Sequence, residues 1–537
     1  MLSACLALSL LAAVPTADTI VVCPQELRPA LRPWLAHRLQ QGHECQVING
    51  PTAEDIRAQI RAAAAGGKLK YVVLIGDSAA QNAKNSKGPL VPTHYAPAKV
   101  ISRFRGGPNI ATDNWFADTD DDQIPDLAIG RLTADTPQEL KTLIEKTISY
   151  ERGLAPGEWR RRISLVAGLG GFGQMADTAI ETVAKRLLIE GIPPAYTTTV
   201  TYGSWRSPYC PLPTTFHDTT MSRFNEGCLF WVYMGHGQTR EVDRMRAPDK
   251  VHHILKAEDC SKIQCGDYPP IALLLCCNAG EFDAGKDCLA EEMLRAGQGP
   301  VAIIAGSRVT MPYGGMGLGV GMLRSYFRDR AETLGDLLLA AKRESAMGPR
   351  EDENSKAIDA LALMLNPASS DLKAERLEHL ELFNLIGDPL LRLPHADEVR
   401  FTSPAAAAPG AVIEIAGTSV IDGTADVELV VRRDRLTFRA PARPKYETTP
   451  ASAKEYKETY DKANDSRLVS TKVAVRDGVF RARLTVPATA SGACHVRVIV
   501  HGAKNVAVGS SDIDISEAAS AKLDAAAAKP GSSAAGK

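Results

Sequence analysis

The sequence lacks a charge imbalance and lacks a long apolar segment. Its 62 basic and 63 acidic residues give a formal net charge of −1 at pH 7. Nucleic acid and an anionic membrane are therefore not expected as partners, because neither would be attracted electrostatically. The apolar run Leu2–Val14 is too short to span a membrane comfortably, so no transmembrane segment is predicted.

The sequence also lacks the motifs of metal-dependent enzymes. Its 11 cysteines are scattered without CxxC pairs, which excludes a standard zinc framework and a dense disulfide scaffold. No HExxH motif is present, so a metal-dependent hydrolase is not favoured and no cofactor for catalysis is expected. Cys260 and Cys265 lie near His252 and His253, but their spacing matches no standard zinc site, and ordinary loop residues are favoured.

The composition is that of a globular protein with an export signal. The 537 residues are 45% apolar and 23% charged, enough to bury the cores of two or three domains. Leu2–Val14 is followed by small residues, which predicts a signal peptide at residues 1–17 and export to the periplasm, the cell surface or the medium. No Lys or Arg precedes the run, so a buried first strand or a misassigned start is the alternative. The oligomeric state is left open.

Two stretches alternate strand and helix patterns, which predicts an α/β fold with a parallel sheet flanked by helices in two subdomains. Residues 18–153 form the N-terminal α/β subdomain, where the continuous apolar strand at 71–75 suits a sheet covered on both faces. Thr136, Pro137 and Glu139 predict the start of a helix with a capping box. Residues 154–394 form the second subdomain.

The hydrophobic pattern of the sequence changes after Pro394. Short alternating segments separated by Gly, Pro and Asp predict a β-sandwich of immunoglobulin type at residues 395–516. Within it, the charged segment Pro441–Arg467 is interpreted as a long exposed loop. Residues 517–537 are rich in Ala, Lys, Ser and Gly, and are predicted to be a disordered tail.

Two apolar strands of the second subdomain each stop at a residue capable of catalysis. WVYMGHGQT carries His236 and LLLCCNAGEFD carries Cys277, each in a turn that contains glycine. Ligands in open α/β sheets bind beyond the carboxyl ends of the strands. The two side chains are therefore expected to face one cleft, although 41 positions separate them (277 − 236).

This pair is predicted to act as a catalytic dyad. A thiol needs deprotonation to become a strong nucleophile, and the imidazole of His236 can accept the proton of Cys277 and later protonate a leaving amine. Gly235 and Gly237 leave room for a substrate backbone, and the amides of Gly237 and Cys277 could form an oxyanion hole. The alternative is that His236 is a structural histidine at a strand end, with its hydrogen bonds satisfied, and that Cys277 is a buried, unreactive thiol.

The same motifs resemble those of gingipain-type cysteine peptidases. In that family a GHG motif carries the histidine, and a strand ending in Cys, two residues, Gly, an acid and Phe carries the nucleophile, as in Cys277–Phe282 here. This motif selects Cys277 over Cys276, and the resemblance extends over Thr19–Leu393. It implies a caspase-like fold followed by an immunoglobulin-like module, and a secreted endopeptidase acting on proteins or peptides.

The resemblance leaves two site residues open. Leu169 stands where the family has an acid proposed to orient the histidine, so the dyad works alone or Glu241 or Asp243 replaces that acid. Asp177 falls approximately where arginine-specific relatives place the acid of the S1 pocket, which would bind a basic P1 side chain. Asp177 is otherwise interpreted as a solvated acid in the first turn of a helix.

One acidic segment resembles a calcium-binding loop. Asp118, Asp120, Asp122 and Asp126 place carboxylates at alternating positions, although Gln123 replaces the usual glycine. The segment predicts a structural calcium site, with an exposed acidic turn as the alternative.

Two other functions fit the same sequence. A non-catalytic surface or assembly protein could keep the fold, and the apolar Leu169 is the argument for it. A sortase-like processing transpeptidase could use the same dyad if an amine replaces water as the acceptor.

Overall fold

The computed structural model describes residues 17–78, 88–104, 106–153, 157–168, 190–348, 356, 358–360, 362–363 and 372–517. Within these ranges, no helix is both long and apolar enough to cross a membrane. Residues 1–16 and 518–537 lie outside them, so the signal peptide and the disordered tail stay predictions.

The α/β part contains fourteen of the described strands and nine of the described helices. The strands are β1 Thr19–Val22, β2 Cys45–Ile48, β3 Tyr71–Ile75, β4 His94–Pro97, β5 Asn109–Thr112, β6 Ala128–Leu132, β7 Arg162–Ala167, β8 Thr197–Tyr202, β9 Phe230–Met234, β10 Arg244–Arg246, β11 Val251–His253, β12 Ile271–Leu275, β13 Ala302–Gly306 and β14 Phe383–Ile386. The helices are α1 Arg28–Gln40, α2 Ala53–Ala64, α3 Asn114–Ala117, α4 Pro137–Glu151, α5 Phe216–Asn225, α6 Leu289–Arg295, α7 Pro312–Phe327, α8 Leu334–Met347 and α9 Leu372–Leu382. Short 3₁₀ helices span Ile101–Phe104, Glu158–Arg161, Pro213–Thr215 and Ala257–Lys262.

Ten of these strands form one sheet, in the order β2-β1-β3-β6-β14-β13-β12-β9-β7-β8. The α/β class is confirmed, but the sheet is mixed, because β14 runs antiparallel to β13. β14 joins β6 at a single pair, Ile386 with Arg131. The sheet is continuous across the predicted subdomain boundary at 153/154, and that boundary stays a prediction.

The helix α4 begins at the predicted N-cap, Thr136, but Glu139 bonds the residue before the N-cap, so only the Thr136 half of the predicted capping box is present. The Thr136 hydroxyl accepts a hydrogen bond from the Glu139 amide at 3.2 Å, and the Glu139 carboxylate accepts one from the Asp135 amide at 2.9 Å. Pro137 occupies the first turn, where its missing N–H costs nothing. Leu140 is fully buried, so the apolar face of the helix covers the sheet.

Helices cover the sheet on both faces. One apolar core includes residues of α1, α4, α5 and α6, and two further cores on the sheet include residues of α2, α3, α7 and α8. Ile303 and Ala305 of β13 belong to the first core, while Ala302 and Ile304 point to the opposite face. Side chains alternate along a strand, so a central strand with both faces covered is apolar throughout.

The C-terminal part is β-sandwich-like. Its strands are β15 Asp397–Thr402, β16 Ala406–Ala407, β17 Val412–Ser419, β18 Gly423–Val431, β19 Arg467–Val475, β20 Val479–Thr485, β21 Gly492–His501 and β22 Val506–Ile515. They are ordered β19-β18-β21-β22-β15-β17-β20, with β16 beside β22. Their inward residues form a separate apolar core. The immunoglobulin-type topology stays a prediction.

The interpretation of Pro441–Arg467 as an exposed loop is wrong. A tenth helix, α10, spans Pro450–Ala463 and packs against the edge strand β8. Tyr456 and Tyr460, four residues apart, form its buried face, which the many charges of this segment obscured in the sequence. The Tyr460 hydroxyl lies 2.7 Å from the Thr201 hydroxyl, so the helix covers a sheet edge.

Candidate active site

His236 and Cys277 lie level with each other at one end of the sheet. β9 and β12 are neighbouring parallel strands, and their register pairs residues that differ by 41 positions, from Phe230 with Ile271 (271 − 230) onward. His236 and Cys277 differ by the same 41 positions and each follows the last paired residue of its strand by two. Neighbouring strands are about 4.8 Å apart. The predicted meeting of the two residues at one strand edge follows from this register.

The turn around His236 is packed directly against the cysteine segment. A Cβ atom added to Gly237 would lie 2.6 Å from the Cys277 carbonyl oxygen and 2.6 Å from the Cys276 sulfur. Both distances are far below van der Waals contact, so only glycine fits at this position. Gly237 thus lets the two strand ends approach as closely as their register requires.

A buried tyrosine holds the histidine turn in place. The Tyr233 hydroxyl donates to the His236 carbonyl at 2.9 Å and accepts from the Asp243 amide at 3.1 Å. Burial raises the pKa of Tyr233 well above its usual value, and Cys276 and Asp243 raise it further. The hydroxyl therefore stays protonated and remains a donor. Gly235 has φ = +155°, and a Cβ there would lie 2.7 Å from this hydroxyl.

The two adjacent cysteines differ in exposure. Cys276 is 1% exposed, and burial raises the pKa of its thiol well above the usual value, so it is unreactive at neutral pH. Cys277 is half-buried, and its sulfur lies 3.4 Å from the Thr310 amide nitrogen. This backbone contact fixes the position of the sulfur relative to Thr310. Exposure thus agrees with the choice of Cys277 as nucleophile.

Side chains join the histidine and cysteine segments. The Glu281 carboxylate accepts from the Thr239 hydroxyl at 2.6 Å and from the Asn278 amide group at 3.2 Å. The Thr239 carbonyl accepts from the Leu289 amide at 2.7 Å. These contacts fix the distance between the two segments independently of the sheet.

A salt bridge anchors the loop that follows β13 beside Cys277. Arg308 forms two 2.7 Å hydrogen bonds to the Asp283 carboxylate, and its Nε donates to the Asn109 carbonyl at 3.2 Å. Such a bidentate pair fixes direction as well as distance. It therefore holds the loop that presents Thr310 to the sulfur.

The amides predicted to form the oxyanion hole are available. Among the described residues, neither the Gly237 amide nor the Cys277 amide donates to another backbone group. Both belong to the two closely packed segments. Their assignment to an oxyanion hole stays a prediction.

Within the described ranges, the carboxylates of both candidate acids, Glu241 and Asp243, bind Arg244. His236 is exposed. The Glu241 carboxylate pairs with Arg244 at 2.8 Å, and Asp243 contacts the turn through its backbone amide, 2.9 Å from the His236 carbonyl. Leu169 lies outside the described residues, so the choice between a dyad and a replacement acid stays open.

The remaining predicted site residues are Asp177 and the four aspartates of the acidic segment. Asp177 lies outside the described residues, and its place in an S1 pocket stays a prediction. Carboxylate oxygens of Asp118, Asp120 and Asp122 lie within 4.8 Å of one another. Asp126 is not in this group, and its carboxylate accepts instead from the Thr119 amide at 2.8 Å and the Thr119 hydroxyl at 2.6 Å. Structural calcium also stays a prediction.

Sequence reasoning missed the supporting residues Tyr233, Thr239 and Thr310. Tyr233 alternates onto the buried side of its strand, which gave no sign that its hydroxyl reaches back to the turn. Thr310 lies 33 positions after Cys277, so no local pattern connects them. Glu281 belongs to the motif that resembles the family, but its hydrogen bond to Thr239 could be identified only from the structure.

Comparison with known families agrees with this geometry. The model of the family described as "Peptidase family C25" matches residues 12–394, which is most of the chain. The chain belongs to peptidase family C25. The resemblance to gingipain-type cysteine peptidases is thereby confirmed.

Curated relatives of the C25 chain come from Porphyromonas gingivalis. Gingipain R2 is 24% identical over 304 residues, which are 53% of this chain and 36% of that protein. Lys-gingipain W83 is 24% identical over 295 residues, which are 51% of this chain and 14% of that protein. The chain thus matches about a third or less of the length of these relatives.

Solved gingipain structures share the fold. The complex of the pro- and mature domains of P. gingivalis RgpB has a TM-score of 0.52 and 18% identity, covering 93% of this chain and 100% of that chain. The Arg-specific cysteine proteinase gingipain R has a TM-score of 0.51 and 17% identity, covering 94% and 98%. The C25 fold, including a β-sandwich-like domain after the α/β part, is therefore confirmed.

Proposed function

We propose that this C25 chain is an exported cysteine endopeptidase that hydrolyses peptide bonds in proteins. The observation that carries the proposal is the register of β9 and β12, which sets His236 level with the half-buried thiol of Cys277. The neighbouring thiol of Cys276 is buried and protonated, so the arrangement singles out one sulfur.

The reaction would pass through a thioester. The Cys277 thiol transfers its proton to His236 and the sulfur attacks the scissile carbonyl carbon. The amides of Gly237 and Cys277 donate hydrogen bonds to the resulting oxyanion. The carbon–nitrogen bond then breaks as His236 protonates the departing amine. Water, deprotonated by His236, hydrolyses the thioester and releases the free acid and the thiol.

Basic P1 residues are the proposed specificity. The relatives include an Arg-specific cysteine proteinase and a Lys-gingipain. Asp177 is the proposed partner of the P1 cation, because a desolvated guanidinium or ammonium group needs a charged acceptor.

Hydrolysis of a peptide library by the purified full chain tests the proposal, with reductant and calcium present. We expect cleavage after Arg or Lys that Cys277→Ala and His236→Ala reduce by a factor on the order of 10⁴ or more. Cys276→Ala is the matched control and should keep most of the activity. Cleavage at other residues would remove the basic P1 proposal and leave the dyad intact.

Thiol labelling separates the peptidase from a non-catalytic surface protein. Eight of the ten described cysteines are buried, and burial raises the pKa of the partly exposed Cys45 to about 12. At neutral pH, iodoacetamide should therefore modify Cys277 first and stop hydrolysis in parallel. A lack of both labelling and cleavage would favour the surface protein. Mass spectrometry of products formed with an added amine would reveal a transpeptidase.

A further inference from the structure

A second group of functional side chains lies beside the sheet, away from the dyad. His217 is in the first turn of α5, His253 ends the hairpin strand β11, and Asp259 is in the 3₁₀ helix Ala257–Lys262. Their ligand atoms all lie within 4.8 Å of one another. We call these three residues the His–His–Asp cluster.

The distances within the cluster suit a small metal ion. His217 Nε2 lies 3.8 Å from Asp259 Oδ1, and His253 Nε2 lies 3.5 Å from Asp259 Oδ2. Ligands about 2.0–2.1 Å from a tetrahedral zinc ion are about 3.4 Å from one another. Both histidine–carboxylate distances are within about half an ångström of this value, and all three ligand atoms lie within 4.8 Å of one another.

Each imidazole presents the nitrogen that a metal would use. His217 Nδ1 lies 3.0 Å from the Ile254 carbonyl oxygen, which can only accept, so in the neutral ring this nitrogen carries the proton and Nε2 carries a lone pair. Metal-binding histidines have such a second partner, which fixes the tautomer and the ring orientation. His253 Nε2 is buried and has no hydrogen-bond partner among the described residues.

The carboxylate is also placed as a metal ligand would be. Asp259 is 1% exposed, and it accepts from the Lys256 amide at 3.2 Å. Buried carboxylates are normally paired or bound to a metal. The charged partner it has is Lys262, 3.2 Å away, whose side chain is 67% exposed and can turn into solvent.

The cluster is open to solvent on one side. His217 and Lys262 also line a cleft of about 640 Å³. Three protein ligands leave a fourth position of a tetrahedral ion for water or a ligand in this cleft. The thiols of Cys260 and Cys265 take no part, since they face the Lys256 and Phe224 carbonyls at 3.9 and 3.5 Å.

We propose that His217, His253 and Asp259 form a binding site for a divalent transition metal, with zinc as the ion of matching geometry. The ion would join α5 to the β10–β11 hairpin. That hairpin follows the histidine turn directly, and the Val242 amide donates to the Leu255 carbonyl at 3.0 Å. Metal binding would therefore stabilise this hairpin against α5 without involving the turn at His236 itself. The site does not depend on the proposed peptidase function.

Zinc titration by calorimetry on the full chain tests the site, in a Cys277→Ala background that removes the reactive thiol as a competing ligand. We expect one equivalent of zinc to bind. His217→Gln and His253→Gln should each weaken binding by more than about 100-fold, since loss of an outer partner alone costs about 10–100-fold. Asp259→Asn keeps the shape of the carboxylate and should also weaken binding.

Two further variants make the test specific. His252→Gln is the matched control, because the neighbouring residue points to the other side of β11, and it should bind zinc like the parent. Lys262→Ala should tighten binding, because it removes the cation that competes for Asp259. Circular dichroism verifies that each variant is folded, and bound cobalt should show the visible bands of a tetrahedral complex.

Three results would overturn the proposal. One is a lack of zinc binding by folded protein, including the parent without the Cys277→Ala change. Another is an equal loss of affinity in His252→Gln and His253→Gln. The third is zinc binding that is present in wild type and lost in Cys277→Ala, which would place the ion on the catalytic thiol.

Discussion

His236 lies in a glycine turn at the end of a central strand, whereas His217 and His253 lie on a helix and a hairpin beside the sheet. His236 is exposed and positioned by its backbone, through strand register and the Tyr233 hydroxyl. The other two histidines are positioned through their side chains. One histidine therefore suits the proposed proton transfer at the strand ends, and the other two suit the proposed ion site.

This difference predicts which changes each site tolerates. The proposed catalysis depends on backbone atoms near Gly237 and Cys277, so we expect added bulk there to be harmful even when no functional group is lost. The His–His–Asp cluster depends on three side-chain groups, so it is lost by exchange of one ligand and should be insensitive to small changes in the turn.

Gly237→Ala should have the largest effect. Its Cβ would overlap the Cys277 carbonyl and the Cys276 sulfur, so the strand ends must move apart. A displacement of about 1 Å at a reacting group can cost about 100-fold in rate, and we expect a loss of this size in kcat/KM for peptide hydrolysis. Gly285→Ala, in the loop that follows Cys277 and with nothing within 4 Å of its Cβ, is the control.

The zinc affinity of Gly237→Ala sharpens the comparison. We expect it to equal that of the wild type, because the cluster lies on other elements. A parallel loss of hydrolysis and zinc binding would show that the two sites are structurally coupled.

Zinc should raise the stability of the wild type. An ion that binds only the folded chain adds about 2.7 kcal/mol to the free energy of unfolding at 100 times its dissociation constant. Thermal denaturation with zinc and with a chelator measures this shift. His253→Gln should show no shift at the same zinc concentration, whereas His252→Gln should behave as wild type. A shift retained in His253→Gln would contradict the assigned ligands.

The juxtaposition of His236 and Cys277 was predictable because each follows a local pattern, an apolar strand that ends in a glycine turn, and their catalytic role stays a prediction. A general rule, that sites in α/β sheets lie beyond the carboxyl ends of the strands, predicted that the two residues would face one site. The common offset of 41 positions is seen only in the pairing of β9 with β12. Cys277 and Cys276 were separable by motif and alternation, and their exposures agree.

The cluster was not predictable, because its ligands come from three elements and their spacing follows no repeat. His217 and His253 are 36 positions apart (253 − 217), and sequence spacing alone instead grouped His253 with Cys260 and Cys265. The same limit applied to α10, whose two buried tyrosines were hidden among charged residues. In both cases tertiary packing buries a few residues of a segment whose polar composition predicts exposure to solvent.

Tyr233→Phe should have a smaller effect than Gly237→Ala or His253→Gln. It removes the hydroxyl that donates to the His236 carbonyl, while the Asp243 amide still bonds that carbonyl at 2.9 Å. We expect a loss of about 1 kcal/mol in the free energy of unfolding, as for one hydrogen bond. Because the turn is loosened, kcat should fall by less than about 100-fold while KM stays the same.

Tyr71→Phe is the matched control, since its hydroxyl bonds the Asp336 carboxylate at 2.9 Å, away from the dyad. It should lose similar stability and keep full kcat. Equal kcat in Tyr233→Phe and wild type would show that strand register and Gly237 alone position His236. A fall in kcat confined to Tyr233→Phe would instead show that the catalytic histidine, like those of the cluster, depends on a side-chain contact.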